Sequence, residues 1–253
     1  MPATRRFVEF PSPELDQPAY EGERRYYLIC GAPRVGSELL CDLLRQSGVM
    51  GVPAEYFNTV FGLKQLAERF GVARGGKFAI DDYVVAIKRH RTTPNGVFGA
   101  KLQYWHLKPL LPLRVISRHL PAARFVYLSR KDFLAQGVSW AIAQQTKQFG
   151  RFRGEPGAPV APVYDETKVL QAIDFVQAEE RMWRRFFALN GIDVLEFDYE
   201  TLCARTDETC KAVCSHVGVT IESTFSTARS RLAVQRNDVN ADWLHRIKQT
   251  ARY

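Results

Sequence analysis

Arg34, Ser37, Glu55, Lys101, Arg130 and Ser139 are the residues of this chain whose types and spacing point to chemistry. Arginine, lysine and serine hydroxyls can hold an oxyanion, and a carboxylate can take a proton from an attacking hydroxyl. Arg34 and Ser37 stand in the run Gly31-Ala32-Pro33-Arg34-Val35-Gly36-Ser37-Glu38, after an apolar segment and before a helical one. Gly31 and Gly36 have the Gly-x4-Gly spacing of a phosphate loop. If the apolar segment is a parallel strand, this loop lies where such sheets bind ligands. The amides at the start of the Ser37 helix then face the anion, and the helix dipole assists. Arg34 can fork onto two anionic oxygens. Ser37 supplies a hydroxyl or caps the helix.

A magnesium-dependent phosphate loop needs a lysine and then a Ser/Thr after its second glycine. Here Ser37 and Glu38 follow Gly36, and no compensating acidic metal site is evident in the sequence. No metal is therefore expected, and a nucleotide kinase is the weaker alternative. Arg130 follows another strand-like run, and Ser139 lies further along the next helical pattern. That pair forms a candidate second anion site. Two such sites on one sheet suit a nucleoside carrying phosphates at both ends, such as 3′-phosphoadenosine 5′-phosphosulfate. Its sulfuryl group carries less charge than a phosphoryl group, so a guanidinium and backbone amides can neutralise it without a metal. Glu55 follows the stiff Pro53 and is the candidate general base, with His106 as its rival. Lys101 offers one more positive charge to the transferred group or the leaving phosphate.

The elements that must position these groups follow from periodicity. Tyr26–Gly31, Val97–Leu102, Arg124–Ser129 and Asp193–Phe197 are short and mostly apolar, as buried parallel strands are. Helical patterns cover Ser37–Ser47, Asp81–Arg91, Asp132–Phe149, Glu166–Asn190, Thr206–Val217 and Asp242–Gln249. Alternation of the two predicts an α/β fold with a central parallel sheet flanked by helices on both faces. The Gly- and Pro-rich stretch 151–163 is a candidate lid. Residues 1–25 read as an N-terminal arm before a single domain over 26–253.

With 253 residues and 46% hydrophobic composition the chain can bury one sizeable core. No apolar run reaches the length of about 18 residues that a membrane helix needs, and no secretory leader is evident. The net charge of +8 calls for an anionic partner. Its cations are scattered, though, and no nucleic-acid motif stands out. Lys88-Arg89-His90-Arg91, the densest basic cluster, reads as a solvated helix end. The five cysteines show no Cys-x2-Cys pair, which fits reduced thiols in a cytoplasmic protein. Cys210, Cys214 and His216 read as part of an amphipathic helix rather than a zinc site.

In combination these stretches resemble the bacterial carbohydrate sulfotransferases of the trehalose 2-sulfotransferase family, with a fainter likeness to Nod-factor sulfotransferases. Tyr27–Ser37 is similar to the family's 5′-phosphosulfate loop. Gly51-Val52-Pro53-Ala54-Glu55-Tyr56-Phe57 is similar to its Gly-x-Pro-x-Glu-Phe-Phe segment, whose Glu is assigned as the general base. Thr93–Leu102 looks like its central strand. Ser129–Asp132, Gln136, Ser139, Gln145 and Thr146 look like its 3′-phosphate segment. The resemblance implies a P-loop-like three-layer fold and sulfuryl transfer from 3′-phosphoadenosine 5′-phosphosulfate to a carbohydrate or glycolipid hydroxyl. It implies Glu55 as base, Arg34, Val35, Gly36 and Ser37 on the phosphosulfate, and Arg130 and Ser139 on the 3′-phosphate. Gln235 and Arg236 would be further donor contacts, and the protein would be a homodimer. The chain departs from the pattern at Glu38, where Thr is usual. It also has Ala141 after Trp140 where Arg is common, and its Arg236 is displaced by two positions. A non-catalytic nucleotide- or polyanion-binding module is the third reading.

Overall fold

The computed structural model describes residues 12–60, 62–75, 77–150, 160–232 and 238–250. Its strands are β1 (Arg25–Gly31), β2 (Val97–Leu102), β3 (Arg124–Ser129) and β4 (Val194–Asp198). Its helices are α1 (Ser37–Gln46), α2 (Leu63–Arg69), α3 (Ile80–Arg91), α4 (Tyr104–Leu107), α5 (Val115–His119), α6 (Phe133–Thr146), α7 (Glu166–Asn190), α8 (Tyr199–Ala204), α9 (Thr206–His216) and α10 (Asp238–Thr250). The strands pair in the order β2-β1-β3-β4, all parallel.

Strand parity sorts the core into two layers. Leu28 and Cys30 of β1 point to one face with Phe98, Ala100, Phe125 and Tyr127. There they meet Tyr83, Val84 and Ile87 of α3 and Trp183 and Phe187 of α7. Tyr27 and Ile29 point to the other face with Val126 and Leu128, against Leu40, Leu43 and Leu44 of α1 and Cys210, Val213 and Cys214 of α9. The sheet is thus covered on both faces, as its continuous apolar strands require. A third apolar cluster joins α6, α7 and α10 through Val138, Ile173, Trp243 and Ile247.

The expected long elements are present with small shifts at their ends. α6 stops at Thr146 rather than Phe149 because Lys147 turns into the left-handed region at φ 55°. α10 begins at Asp238, earlier than its apolar periodicity suggested. The short helices α2, α4, α5 and α8 were not expected; each has too few turns to show a 3.6-residue pattern. The basic run at the end of α3 is not simply solvated. Arg91 is fully buried and pairs with Asp16 at 3.0 Å, while Lys88 donates to the His119 carbonyl at 2.9 Å. The described part of the N-terminal stretch lies along that helix end, with the Gln17 and Tyr20 amides donating to the His90 and Arg89 carbonyls. Residues 151–159 of the candidate lid lie outside the described residues. Among the described residues no helix is long and apolar enough to cross a membrane.

Close packing of β1 on β2 depends on a glycine. A Cβ added at Gly99 would run into the ring of Tyr27, which is fully buried and donates its hydroxyl to the Met50 carbonyl at 2.7 Å. That ring has no room to retreat. Gly99→Ala is expected to lower unfolding stability by about 1–3 kcal/mol, the usual cost of overpacking. Urea denaturation measures it, and an unchanged midpoint would show that the ring can yield.

Candidate functional site

Parallel pairing brings the loops after β1, β2 and β3 to one edge of the sheet. Cys30 is in register with Leu102, and Gly31 with Leu128. The loop 32–36 therefore sits between the end of β2, which carries Lys101, and the end of β3, which leads into Arg130. Arg34 and Gly36 both lie in the left-handed region, at φ 67° and 79°. For a non-glycine residue this conformation costs on the order of 1 kcal/mol. Two side chains pin it: Gln136 Nε2 donates to the Pro33 carbonyl at 2.8 Å, and Arg130 Nη1 donates to the Arg34 carbonyl at 3.1 Å. Gly36 is the N-cap of α1, so Ser37 is the first helical residue and not the cap. A Cβ at Gly36 would come within 2.5 Å of the Tyr199 ring, so the loop passes directly beneath that aromatic. Val35 is buried in the α1 core layer. The Gly36 and Ser37 amides make no hydrogen bond among the described residues. Unpaired amides in a tight loop that leads into a helix start are what an anion-binding concavity needs.

Arg34 and Ser139 were expected at opposite ends of a ligand, yet they touch. Arg34 Nε donates to Ser139 Oγ at 2.9 Å, and Arg34 Nη1 also donates to the Phe149 carbonyl. Arg130 stacks over Tyr199, its guanidinium carbon 4.9 Å from the ring centre. Burial, together with repulsion from Arg130, lowers the Arg34 pKa to about 10. Two guanidiniums held this close favour an anion between or beside them. On the other flank of Arg130 a cavity of about 360 Å³ opens toward α7. Its other cations are matched, Lys131 with Asp198 at 3.0 Å and Arg184 with Glu180 at 3.0 Å, so it is a poorer anion site.

Lys101 and Glu55 meet on the β2 side. Alternation along β2 sends Lys101 to the α1 face of the sheet. The Lys101 amide donates to the Ala54 carbonyl at 2.9 Å, which draws the loop carrying Glu55 alongside the strand. Lys101 Nζ then lies 2.9 Å from Glu55 Oε1 and also bonds Glu38 Oε2. Asn58 Nδ2 donates to Glu55 Oε2 at 2.9 Å, and Gln103 Nε2 to Glu55 Oε1 at 3.2 Å. Burial opposes the charge on Glu55, but Lys101, His106 and the Asn58 donor outweigh it and bring its pKa to about 2. Burial would likewise weaken the Lys101 ammonium; Glu38 and Glu55 instead hold its pKa above the usual lysine value. His106, the rival base, is 1% exposed and accepts from the Gln103 amide at 3.4 Å. Burial, aided by Lys101, lowers its pKa to about 4 against the pull of Glu55. It is a neutral, enclosed imidazole out of reach of a solvent-borne acceptor.

The profile of one family, the Stf0 sulphotransferases, matches residues 26–250. The chain belongs to that family. Among characterised relatives, the trehalose 2-sulfotransferase of Mycolicibacterium smegmatis is 29% identical over 262 residues, covering 89% of this chain and 95% of that protein. That of Mycobacterium tuberculosis is 29% identical over 269 residues, covering 90% and 96%. Among solved structures, the sulfotransferase domain from the curacin biosynthetic pathway superposes with a TM-score of 0.52 at 11% identity, over 90% of this chain and 99% of that one. The fold is thus the P-loop-like sulfotransferase fold.

Three features of this Stf0 sulphotransferase were not read from its sequence. Glu38 turns inward onto Lys101 instead of toward solvent. Asp42 on α1 is fully buried and accepts from Ser230 Oγ at 2.8 Å and the Arg231 amide at 2.9 Å. It thereby ties the stretch that precedes Gln235 and Arg236 to the cradle helix; those two residues lie outside the described ones. An acidic residue on the apolar face of α1 was the available signal. Glu179 of α7 is the third. Its Oε2 accepts from the Tyr104 amide at 2.7 Å and the Trp105 amide at 3.4 Å, so it anchors α4 behind Gln103.

Burial raises the Glu179 pKa to about 7, outweighing those two amide donors. The folded state therefore holds a proton that the unfolded chain releases near the ordinary carboxylate value of 4.5. A raised carboxyl pKa reduces stability as pH climbs from 4.5 through 7, the reverse of a salt-bridged carboxylate. Glu179→Gln retains an acceptor and removes the charge. Its stability relative to the unmodified chain is expected to improve by on the order of 2 kcal/mol between pH 5 and pH 8. Thermal melts at both pH values test this, and a pH-independent difference would mean that Glu179 is solvated.

Proposed function

We propose that this protein transfers a sulfuryl group from 3′-phosphoadenosine 5′-phosphosulfate to a hydroxyl of a carbohydrate or glycolipid. One observation carries the reading: in a chain of the Stf0 sulphotransferase family, an anion cradle, two guanidiniums and a fixed carboxylate converge at one sheet edge. Two trehalose 2-sulfotransferases among the relatives support a sugar acceptor. The donor is a substrate, and the groups present suit it. The Gly36 and Ser37 amides and the start of α1 receive the phosphosulfate. Arg130, Ser139 and Arg34, which shares the Ser139 hydroxyl, receive the 3′-phosphate, and the Arg34 backbone still shapes the loop for the other end. Gln235 and Arg236 add donor contacts, and residues 26–253 act as one domain.

In the transfer the acceptor oxygen bonds to sulfur while the bond from sulfur to the 5′-phosphate oxygen breaks. That oxygen keeps the electron pair. The acceptor proton passes to Glu55. With its pKa near 2 in the resting site, Glu55 is a weak base. Its basicity rises only as Lys101 is drawn to the developing charge on the leaving group. If the transition state is loose, proton transfer comes late and positioning supplies most of the acceleration. Asn58 and Gln103 hold the Glu55 carboxylate in one orientation for that step.

Two measurements test this. Calorimetry without magnesium should show the unmodified protein binding 3′-phosphoadenosine 5′-phosphate. Arg130→Ala should weaken that binding roughly 30-fold or more, as loss of a partly buried charge partner does. An unmodified protein that does not bind would sink the donor assignment. Glu55→Ala should lower kcat with a trehalose-type acceptor by about 10²–10⁴, with donor-product binding no weaker. Unchanged turnover would remove Glu55 from the mechanism.

A further inference from the structure

Lys101 is shared by two carboxylates that are held very differently. Glu55 is fixed by Asn58 and Gln103 as well as by Lys101. Glu38 makes one side-chain hydrogen bond among the described residues, to Lys101. The Lys101 side chain is 8% exposed, that of Glu55 18% and that of Glu38 29%, so Glu38 is the outermost of the three. Glu38 is also the second residue of α1, so its carboxylate lies beside the helix start that forms the cradle. The chain thus places an anion of its own on the ammonium beside its anion site. An incoming anion that reaches Lys101 must share that cation with Glu38 or replace it, and beyond that one hydrogen bond Glu38 is held, among the described residues, only by the more distant charges of Arg45 and Arg34.

We propose that Glu38 is a positioning residue that acts through Lys101: in the free enzyme its carboxylate occupies the contact that an oxygen of the transferred sulfuryl group takes over. It keeps the ammonium extended toward the cradle and compensated until the donor arrives. It then releases Lys101 to the donor while Lys101 keeps Glu55. The cost of displacing Glu38 falls on a ligand that carries the sulfuryl group and not on one that lacks it. This inference rests on the donor proposed above.

The test compares 3′-phosphoadenosine 5′-phosphosulfate with 3′-phosphoadenosine 5′-phosphate, each bound without acceptor and without magnesium. The proteins are the unmodified chain, Glu38→Gln, Glu38→Thr, Lys101→Met and the double variant Glu38→Gln/Lys101→Met. Either Glu38 variant is expected to bind the phosphosulfate about tenfold tighter, and the bisphosphate with less than about threefold change. In the Lys101→Met background the gain from Glu38→Gln should shrink, because no ammonium is left to hand over. Equal tightening of both ligands, weaker phosphosulfate binding, or a gain undiminished in the Lys101→Met background would each overturn the role while leaving the donor reading intact. Failure of the unmodified chain and the Glu38 variants to bind either nucleotide would overturn the donor reading and this role together. Retained bisphosphate binding reports that a variant is folded, and Glu38→Thr serves if Glu38→Gln is not.

Discussion

A nearly buried ammonium is tolerable only when its charge is compensated, and the β2 side of the site is organised around that requirement. Lys101 points into the interface between the sheet and α1 because its place in β2 leaves it no other direction. Two carboxylates from separate parts of the chain converge on it, Glu38 from the first turn of α1 and Glu55 from the loop that Ala54 anchors to the strand. Lys101 keeps Glu55 ionised, and the two carboxylates keep Lys101 ionised, before any substrate is present. Such mutual stabilisation makes a rigid site and a weak base. A reaction that uses Glu55 has to draw on a change in the field of Lys101, which the arrival and departure of anions provides.

The other half of the site meets the opposite problem. Arg34 and Arg130 repel each other, and they donate to the Ser139 hydroxyl and to the Phe149 and Arg34 carbonyls. Between the two halves lies a loop whose strained left-handed Arg34 is held by Gln136 and Arg130, with helix-start amides left for a ligand. A cradle made this way needs neither the lysine nor the metal-binding hydroxyl of a magnesium-dependent phosphate loop. Its positive character comes from backbone and guanidinium, which, in the proposed reaction, suits a transferred sulfuryl group of modest charge.

Much of this was legible in the sequence. Buried strands are continuous apolar runs, and long helices repeat their apolar residues every three or four positions, so β1 to β4, α1, α3, α6 and α7 could be read directly. The loop after β1, the carboxylate after Pro53 and the arginine after β3 carried their own signals. What remained hidden depends on neighbours distant in the chain. The inward turn of Glu38 needs Lys101, 63 positions away, and the contact between Arg34 and Ser139 spans 105. Burial of Arg91 needs Asp16, and the role of Asp42 needs Ser230. By itself the sequence determined the class of fold and the kinds of group that stand in the loops at the strand ends, because these follow from local periodicity and from the loops that parallel strands must have. Only the tertiary structure decided which charges share which partner, because ion pairing is set by three-dimensional proximity and burial, and neither is encoded in residue spacing along one element.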